Sequence, residues 1–244
     1  PTTQTLDLHT ALWVKNTGLG LSFWQDKIRV TNTMSINADL SFKIKVLQKW
    51  HLAFGLKAGF DKLSDNFRDL NNAGTDIEFQ ENYESKFLPN FGAGLYLSSQ
   101  RFYIGFSVPR LLKHQKDEND DITTERFRNG QRHYFLIAGT YLNINDHVAF
   151  KPTTQIKATQ GAPVEMDFTA TFFFYDRIWL GAMFRTDDAV GMLIGVNVTE
   201  QLALGYSYDW SYANLSSYRN SHEILFRYDF VFKEDKKIHS PRYF

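Results

Sequence analysis

Apolar and polar residues alternate along most of the chain. From Val190 to Val198 every second residue is valine, methionine or isoleucine, and from Leu202 to Trp210 every second residue is leucine, tyrosine or tryptophan. The same period runs through Ile36–Val46, Leu52–Phe60, Val164–Phe174 and Ile224–Phe232. The polar residues between them include Asp39, Lys57, Asp61, Lys151, Lys157, Glu165, Asp167, Arg227 and Asp229. A period of two is the signature of a strand with one apolar face. No segment carries a convincing helical period. The pattern predicts thirteen strands, near 4–14, 17–25, 33–46, 50–61, 88–98, 101–108, 131–144, 147–159, 164–174, 176–186, 189–198, 201–210 and 221–232.

The predicted connections alternate between short and long. The short ones are Lys15-Asn16, Leu47–Lys49, Ser99-Gln100, Asn145-Asp146, Tyr175 and Thr199-Glu200. The longer ones are 26–32, 62–87, 109–130, 160–163, 187–188 and 211–220, of which only 187–188 is not clearly longer. In an up-and-down antiparallel meander this puts the short turns at one end and the long loops at the other. Outer-membrane barrels have that asymmetry, with short periplasmic turns and longer extracellular loops. A small soluble barrel fills its interior with side chains, whereas thirteen strands enclose a wide interior that must hold water or a plug. The charged face suits such an interior and the apolar face then needs lipid. Two packed soluble sheets could also use this many strands.

Parity extends the reading. Single-chain bacterial barrels have an even strand number. The thirteenth strand ends on the short-turn side, so one strand rising before Pro1 would close a barrel of about 14 strands. The expected organisation is therefore a transmembrane barrel over 1–232, its N-terminal strand missing upstream, and a periplasmic tail over 233–244.

Composition narrows the partners. Lysine plus arginine and aspartate plus glutamate number 27 each, so the chain is formally neutral and makes no case for nucleic acid. It has no cysteine, which excludes thiolate zinc sites. Aromatics make up 16%, in keeping with strands. No apolar run is long enough for a membrane helix. No basic-then-apolar leader opens the chain, which reads as either cytoplasmic or a mature or trimmed form. Trp13, Trp50 and Trp179 lie beside short turns and Trp24 and Trp210 beside long loops, like two interfacial girdles. Trp13, Trp24 and Trp179 are out of phase with the apolar face, so the girdles are partial.

The segments PTTQTLDLHTAL, GLGLSFWQDKIRVTN, LAFGLKAGF, PNFGAGLYLSSQRFYIGFSVPRLL, HYFLIAGTYLNI, the long run from KPTTQIKATQ to LALGYSYDW, and SHEILFRYDF follow one another in order. In sequence and spacing they resemble the PorP/SprF family of type IX secretion system membrane proteins, over residues 1 to about 230. The family usually has a further stretch before the PTTQT segment and ends near Tyr228–Phe230. Here VFKEDKKIHSPRYF follows, read simply as a basic periplasmic extension. The resemblance implies an outer-membrane protein of a gliding or secreting Gram-negative bacterium. It implies a role in exporting or anchoring surface adhesins and other cargo with a C-terminal secretion domain. It also implies contact with periplasmic ring and motor lipoproteins.

Motifs for chemistry are weak. The seven histidines show no HExxH or paired-ligand spacing. His133 and His222 open strands and are expected to hydrogen-bond at a rim. In Ser221-His222-Glu223 neighbouring residues point to opposite faces, so the run cannot assemble a nucleophile with its base. Gly18, Gly20, Gly92, Gly94 and Gly105 fall on alternate strand positions with no helix after them, which is not a phosphate loop. They are expected to leave room for a plug, a neighbouring loop or a bound peptide. The acidic stretch Lys116–Asp121 lacks the spaced ligands of a calcium loop. No catalytic, metal or cofactor residue is expected, and the chain is read as a non-enzyme.

The residues expected to meet a partner are Arg110, Arg126, Arg128, Arg185, Asp187, Asp188, Tyr212 and Tyr218, chosen because they are polar or aromatic in or beside the long loops. The leading reading is an outer-membrane binding and assembly platform with extracellular long loops. The alternative is a channel or transporter for small or hydrophobic solutes. A lipid-modifying enzyme is a third, weaker reading.

Overall fold

Strand pairing carries the whole architecture of the computed structural model. It describes residues 1–65, 83–84, 87–112, 115–116, 122–123, 132–212 and 220–230. The strands are β1 (Thr2–Ala11), β2 (Thr17–Ile28), β3 (Thr31–Leu47), β4 (Trp50–Asp65), β5 (Tyr83–Glu84), β6 (Leu88–Ser98), β7 (Phe102–Val108), β8 (Gln115–Lys116) and β9 (Ile122–Thr123). They continue with β10 (His133–Thr140), β11 (Leu142–Asn143), β12 (Val148–Thr159), β13 (Glu165–Phe174), β14 (Ile178–Arg185), β15 (Ala189–Asn197), β16 (Leu202–Ser211) and β17 (Asn220–Tyr228).

The long strands are hydrogen-bonded in the order β1-β2-β3-β4-β6-β7-β10-β12-β13-β14-β15-β16-β17, which is chain order. These are the thirteen strands that the alternation predicts. The two-residue strands β5 and β11 pair with β4 and β12, and β8 pairs with β9 in a separate ribbon. The fold is all-β, antiparallel and up-and-down. Its contacts divide into one unit of residues 1–96 and 106–134 and a second of 97–105 and 135–244.

Register fixes the faces. In the first unit Phe23, Ile36 and Phe60 lie side by side, as do Leu19, Leu40 and Leu56. In the second, Phe150, Phe172, Leu180, Ile194, Tyr206 and Ile224 form one row. A slip of one residue would move every one of these side chains to the other face. The apolar rows are the exposed ones: Leu40 is 47% exposed, Leu56 64%, Met192 71% and Phe226 66%. Covered residues lie on the opposite face. Ser35 is 1% exposed, Asn90 5%, Thr171 8%, and Ala189 and Ala203 2% each. A water-soluble protein buries its apolar face. This polarity is reversed, and it suits strands whose apolar side meets hydrocarbon.

Turn chemistry explains the short hairpins. Tyr175 and Asp176 both have φ of 53°, and Arg177 N donates to Phe174 O at 3.0 Å, closing β13 onto β14. Two central residues at positive φ give the turn whose twist matches that of the strands. Asn16 (φ 65°) serves the β1–β2 connection.

One connection is shorter than predicted. The stretch 26–32 is not a long loop, because β2 continues to Ile28 and β3 begins at Thr31. Past Trp24 and Met34 polar residues occupy both faces up to Lys27 and Thr31, so the period disappears from the sequence while backbone pairing continues. The first short connection, conversely, opens to residues 12–16.

Candidate functional site

In the second unit a charged cluster forms on the polar face, where β13 begins and β14 ends. Asp167 and Arg185 are direct cross-strand partners, which brings Arg185 Nε to 2.8 Å from Asp167 Oδ1. The turn after β14 returns Asp188, whose Oδ2 lies 3.0 Å from Arg185 Nη1. The guanidinium is thus shared by two carboxylates. Asp209 is opposite Gly191, where a Cβ would collide with the Asp209 carboxylate, so glycine makes the room.

Hydrogen bonds pin that turn on both sides. Thr186 N donates to Met166 O at 2.9 Å, and Met166 N donates back to Thr186 Oγ1 at 2.9 Å. Tyr212 N donates to Asp188 O and Tyr212 Oη to Arg185 O, both at 2.9 Å, and Ser211 Oγ donates to Asp188 O at 3.1 Å. Arg185, Asp188 and Tyr212, selected from the sequence separately, therefore meet in one place. Asp187 (φ 57°) is exposed at the turn and outside the network. Asp167, Asp209 and Ser211 complete the cluster and were not among the selected residues. Their signal was present in alternation, which puts all three on the polar face. It lacked the register that only the turns supply.

Arg110 belongs to the first unit. Alternation along β7 would aim it to the apolar face. Past Val108 the ladder turns irregular: Leu111 N donates to Phe91 O at 2.8 Å, and buried Asn90 accepts from both Phe91 N (2.9 Å) and Leu112 N (3.3 Å). Arg110 reaches the polar face instead, with Nε 3.3 Å from Asp61 Oδ2 and its guanidinium carbon 5.3 Å from the Trp24 ring centroid. Trp24 and Asp61 flank Ser35 in the register. Arg126, Arg128 and Tyr218 lie outside the described residues, as does Lys116–Asp121 apart from Lys116 itself.

Three more ion pairs lie on the polar face. Lys57 lies 3.6 Å from Asp39, Lys157 2.8 Å from Glu165, and Arg227 3.4 Å from Asp229. Lys151 Nζ sits 5.9 Å from the Tyr103 ring centroid. Exposed pairs of this kind contribute about 0.2–1 kcal/mol each. Their larger effect is to cancel fixed charge along the face.

At the short-turn end of the second unit the polar face holds aromatics. Trp179 lies against Gly195, where a Cβ would overlap its ring, and next to Gly205. Tyr141 packs beside Phe173 with centroids 5.7 Å apart. Of the glycines noted in the sequence, Gly92 makes room for Pro109 where the 109–132 connection begins, and Gly18 and Gly20 for Ser41 and Asp39.

The Ser221-His222-Glu223 run splits across the sheet. His222 Nδ1 is 2.7 Å from Tyr206 Oη on the apolar face, and Glu223 Oε2 accepts from Ser207 Oγ at 3.4 Å on the polar one.

No curated protein matched the chain. The model of the family described as type IX secretion system membrane protein PorP/SprF matches residues 1–228. That match covers nearly all of the described sheet, and the chain belongs to this family of type IX secretion membrane components.

Proposed function

We propose that this protein is an outer-membrane platform of the type IX secretion and gliding machinery, not an enzyme. It holds surface adhesins or other cargo by their C-terminal secretion domain and links them to periplasmic ring and motor lipoproteins. In this reading the sheet is a barrel, the short turns and the C-terminus face the periplasm, and the long connections face outside. The Arg185–Asp167–Asp188 cluster with Asp209 is a contact point on the long-loop side. One cation among three carboxylates suits a basic segment of the cargo.

The observation that supports a platform is the run of opposite-charge pairs along the polar face. Ion pairs that cancel one another build no field of one sign to draw a solute through. A lumen of about 14 strands is also narrow for a folded domain, which favours docking over passage.

The test is a pull-down of the protein from native membranes in mild detergent, followed by mass spectrometry. Recovery of a large surface protein with a C-terminal secretion domain, or of ring lipoproteins, is the expected result. A partnerless barrel with a large steady conductance in planar bilayers would favour a solute channel instead.

A further inference from the structure

At the short-turn end of the first unit two hairpin ends form one surface. The β1–β2 connection is a closed turn: Leu12 N donates to Thr17 O at 2.9 Å, and Thr17 N to Val14 O at 3.2 Å. The β3–β4 hairpin runs beside it, because Lys43 N donates to Asn16 O at 2.8 Å. That bond sets the two about 4.8 Å apart, one strand spacing. Past it β3 and β4 stay paired, with Lys43 opposite Ala53 and Lys45 opposite His51, then an irregular step at Val46 before Leu47 meets Trp50.

This surface mixes apolar tips with unpaired cations. Trp13 is 103% exposed, Val14 66% and Leu47 63%. The hydrogen bonds of the turn hold the Trp13 ring clear of the sheet. Around these tips Lys15, Lys43, Lys45 and Lys49 are exposed, and among the described residues none of the four is in an ion pair. Residues 8–25 and 40–60 contain no carboxylate. The nearest one along the ladder is Asp39, four residues back from Lys43, and it holds Lys57 at 3.6 Å.

An anionic leaflet does not account for these cations. Lys43 and Lys45 share the polar face with Asp39 and Ser41, while the lipid-side positions beside them read Phe42, Ile44, Leu52 and Phe54. A leaflet would draw cations to every short turn, yet the short turns of the second unit carry Asp146, Asp176 and Glu200. A solvated turn does not account for Trp13, Val14 and Leu47. Exposed apolar side chains rimmed by charge mark a protein contact, and tryptophan is a preferred anchor of such contacts.

We propose that Trp13, Val14 and Leu47, ringed by Lys15, Lys43, Lys45 and Lys49, are the docking surface for an acidic face of a periplasmic protein, with the Trp13 ring seated in an apolar pocket of that face. The cations steer the encounter and the desolvated ring holds it. The site rests on the reading that the short turns face the periplasm, and it gives the link to the ring side a place and a charge.

The experiment uses the full chain in intact cells. A photoreactive benzoylphenylalanine replaces Val14, beside the anchor, and the adducts formed on illumination are mapped by mass spectrometry at equal amounts of protein in the outer membrane. The expected result is a protein adduct joined through an acid-rich segment of the partner. Lys43→Glu, Lys45→Glu and Lys49→Glu together should cut its yield about tenfold, since each rim pair becomes a like-charge contact. The three glutamine substitutions should cut it about threefold, and Trp13→Ala about tenfold. Arg29→Glu, just past the other end of β2, should leave it unchanged. Lys49→Cys, in a chain with no other cysteine, fixes the orientation: a membrane-impermeant maleimide should label it only after the outer membrane is opened. Labelling on intact cells would overturn the periplasmic reading and the site with it. With the orientation upheld, adducts to lipid alone, no adduct, a yield unmoved by the lysine or Trp13 substitutions, or an equal loss from Arg29→Glu would each overturn the site. An acidic partner that is not a ring or motor lipoprotein would uphold the site and overturn the ring link of the platform.

Discussion

Placing an arginine at Leu56 separates a lipid-facing surface from a water-facing one. Leu56 is 64% exposed, and in water a substitution at such a position changes stability by about 0.5 kcal/mol or less. In a bilayer the outcome depends on depth. A strand rises about 3.3 Å per residue, or about 2.5 Å along the membrane normal at a tilt near 40°. Leu52 and Phe60, each four residues from Leu56, then lie about 10 Å from its level, inside an apolar band about 25 Å tall. Trp50 and Lys62, six residues away, lie at about 15 Å, just beyond the band, where an aromatic and a cation belong. Leu56 is therefore at the midplane, and Leu56→Arg should cost about 2–4 kcal/mol, whereas Phe60→Arg should cost about 0–1 kcal/mol. The first figure is about a 30- to 1000-fold shift in the folding equilibrium. The assay is reversible unfolding in denaturant from lipid vesicles, followed by tryptophan emission. Costs under about 0.5 kcal/mol at both positions would refute the lipid-facing assignment.

Three further outcomes follow from particular contacts. Arg185→Gln leaves Asp167, Asp188 and Asp209 facing one another without their cation; a loss of about 1–2 kcal/mol is expected for this half-exposed cluster, together with weaker cargo recovery in the pull-down. Recovery equal to wild type would remove the cluster from the cargo contact. Gly195→Val drives a methyl-bearing side chain into the Trp179 ring, so overpacking of about 1–3 kcal/mol and a shifted tryptophan emission are expected, and unchanged emission would contradict the packing. Arg110→Ala removes both the Asp61 ion pair and the cation over Trp24; faster proteolysis between residues 109 and 132 is expected, and an unchanged cleavage rate would show that Arg110 does not hold that connection.

The strands were legible because period two is a local property. Ile36–Val46 or Val190–Val198 announces its faces without reference to anything distant, and the register then keeps Leu40 beside Leu56 and Ile194 beside Tyr206. The signal stops where the environment stops sorting residues. At Gln25–Lys27 both faces are polar, and the pairing that extends β2 and β3 left no pattern. The site was legible in parts. Arg185, Asp188 and Tyr212 stood out as polar or aromatic residues beside connections, but their convergence depends on register. Arg110 shows a second kind of loss: an irregular ladder secured by the Asn90 side chain reverses the face that alternation assigns.

The central claim is that the apolar rows meet lipid and the polar rows do not. Single cysteines at each position from Ala189 to Asn197, spin-labelled in a chain that has no other cysteine, test it most directly in lipid vesicles. Accessibility to oxygen should rise at Val190, Met192, Ile194 and Val196, and accessibility to a water-soluble relaxant should stay low there. At Gly191, Leu193, Gly195 and Asn197 the oxygen signal should fall, giving a period of two. The opposite phase, with water-soluble relaxant reaching Met192 and Ile194, would contradict the account.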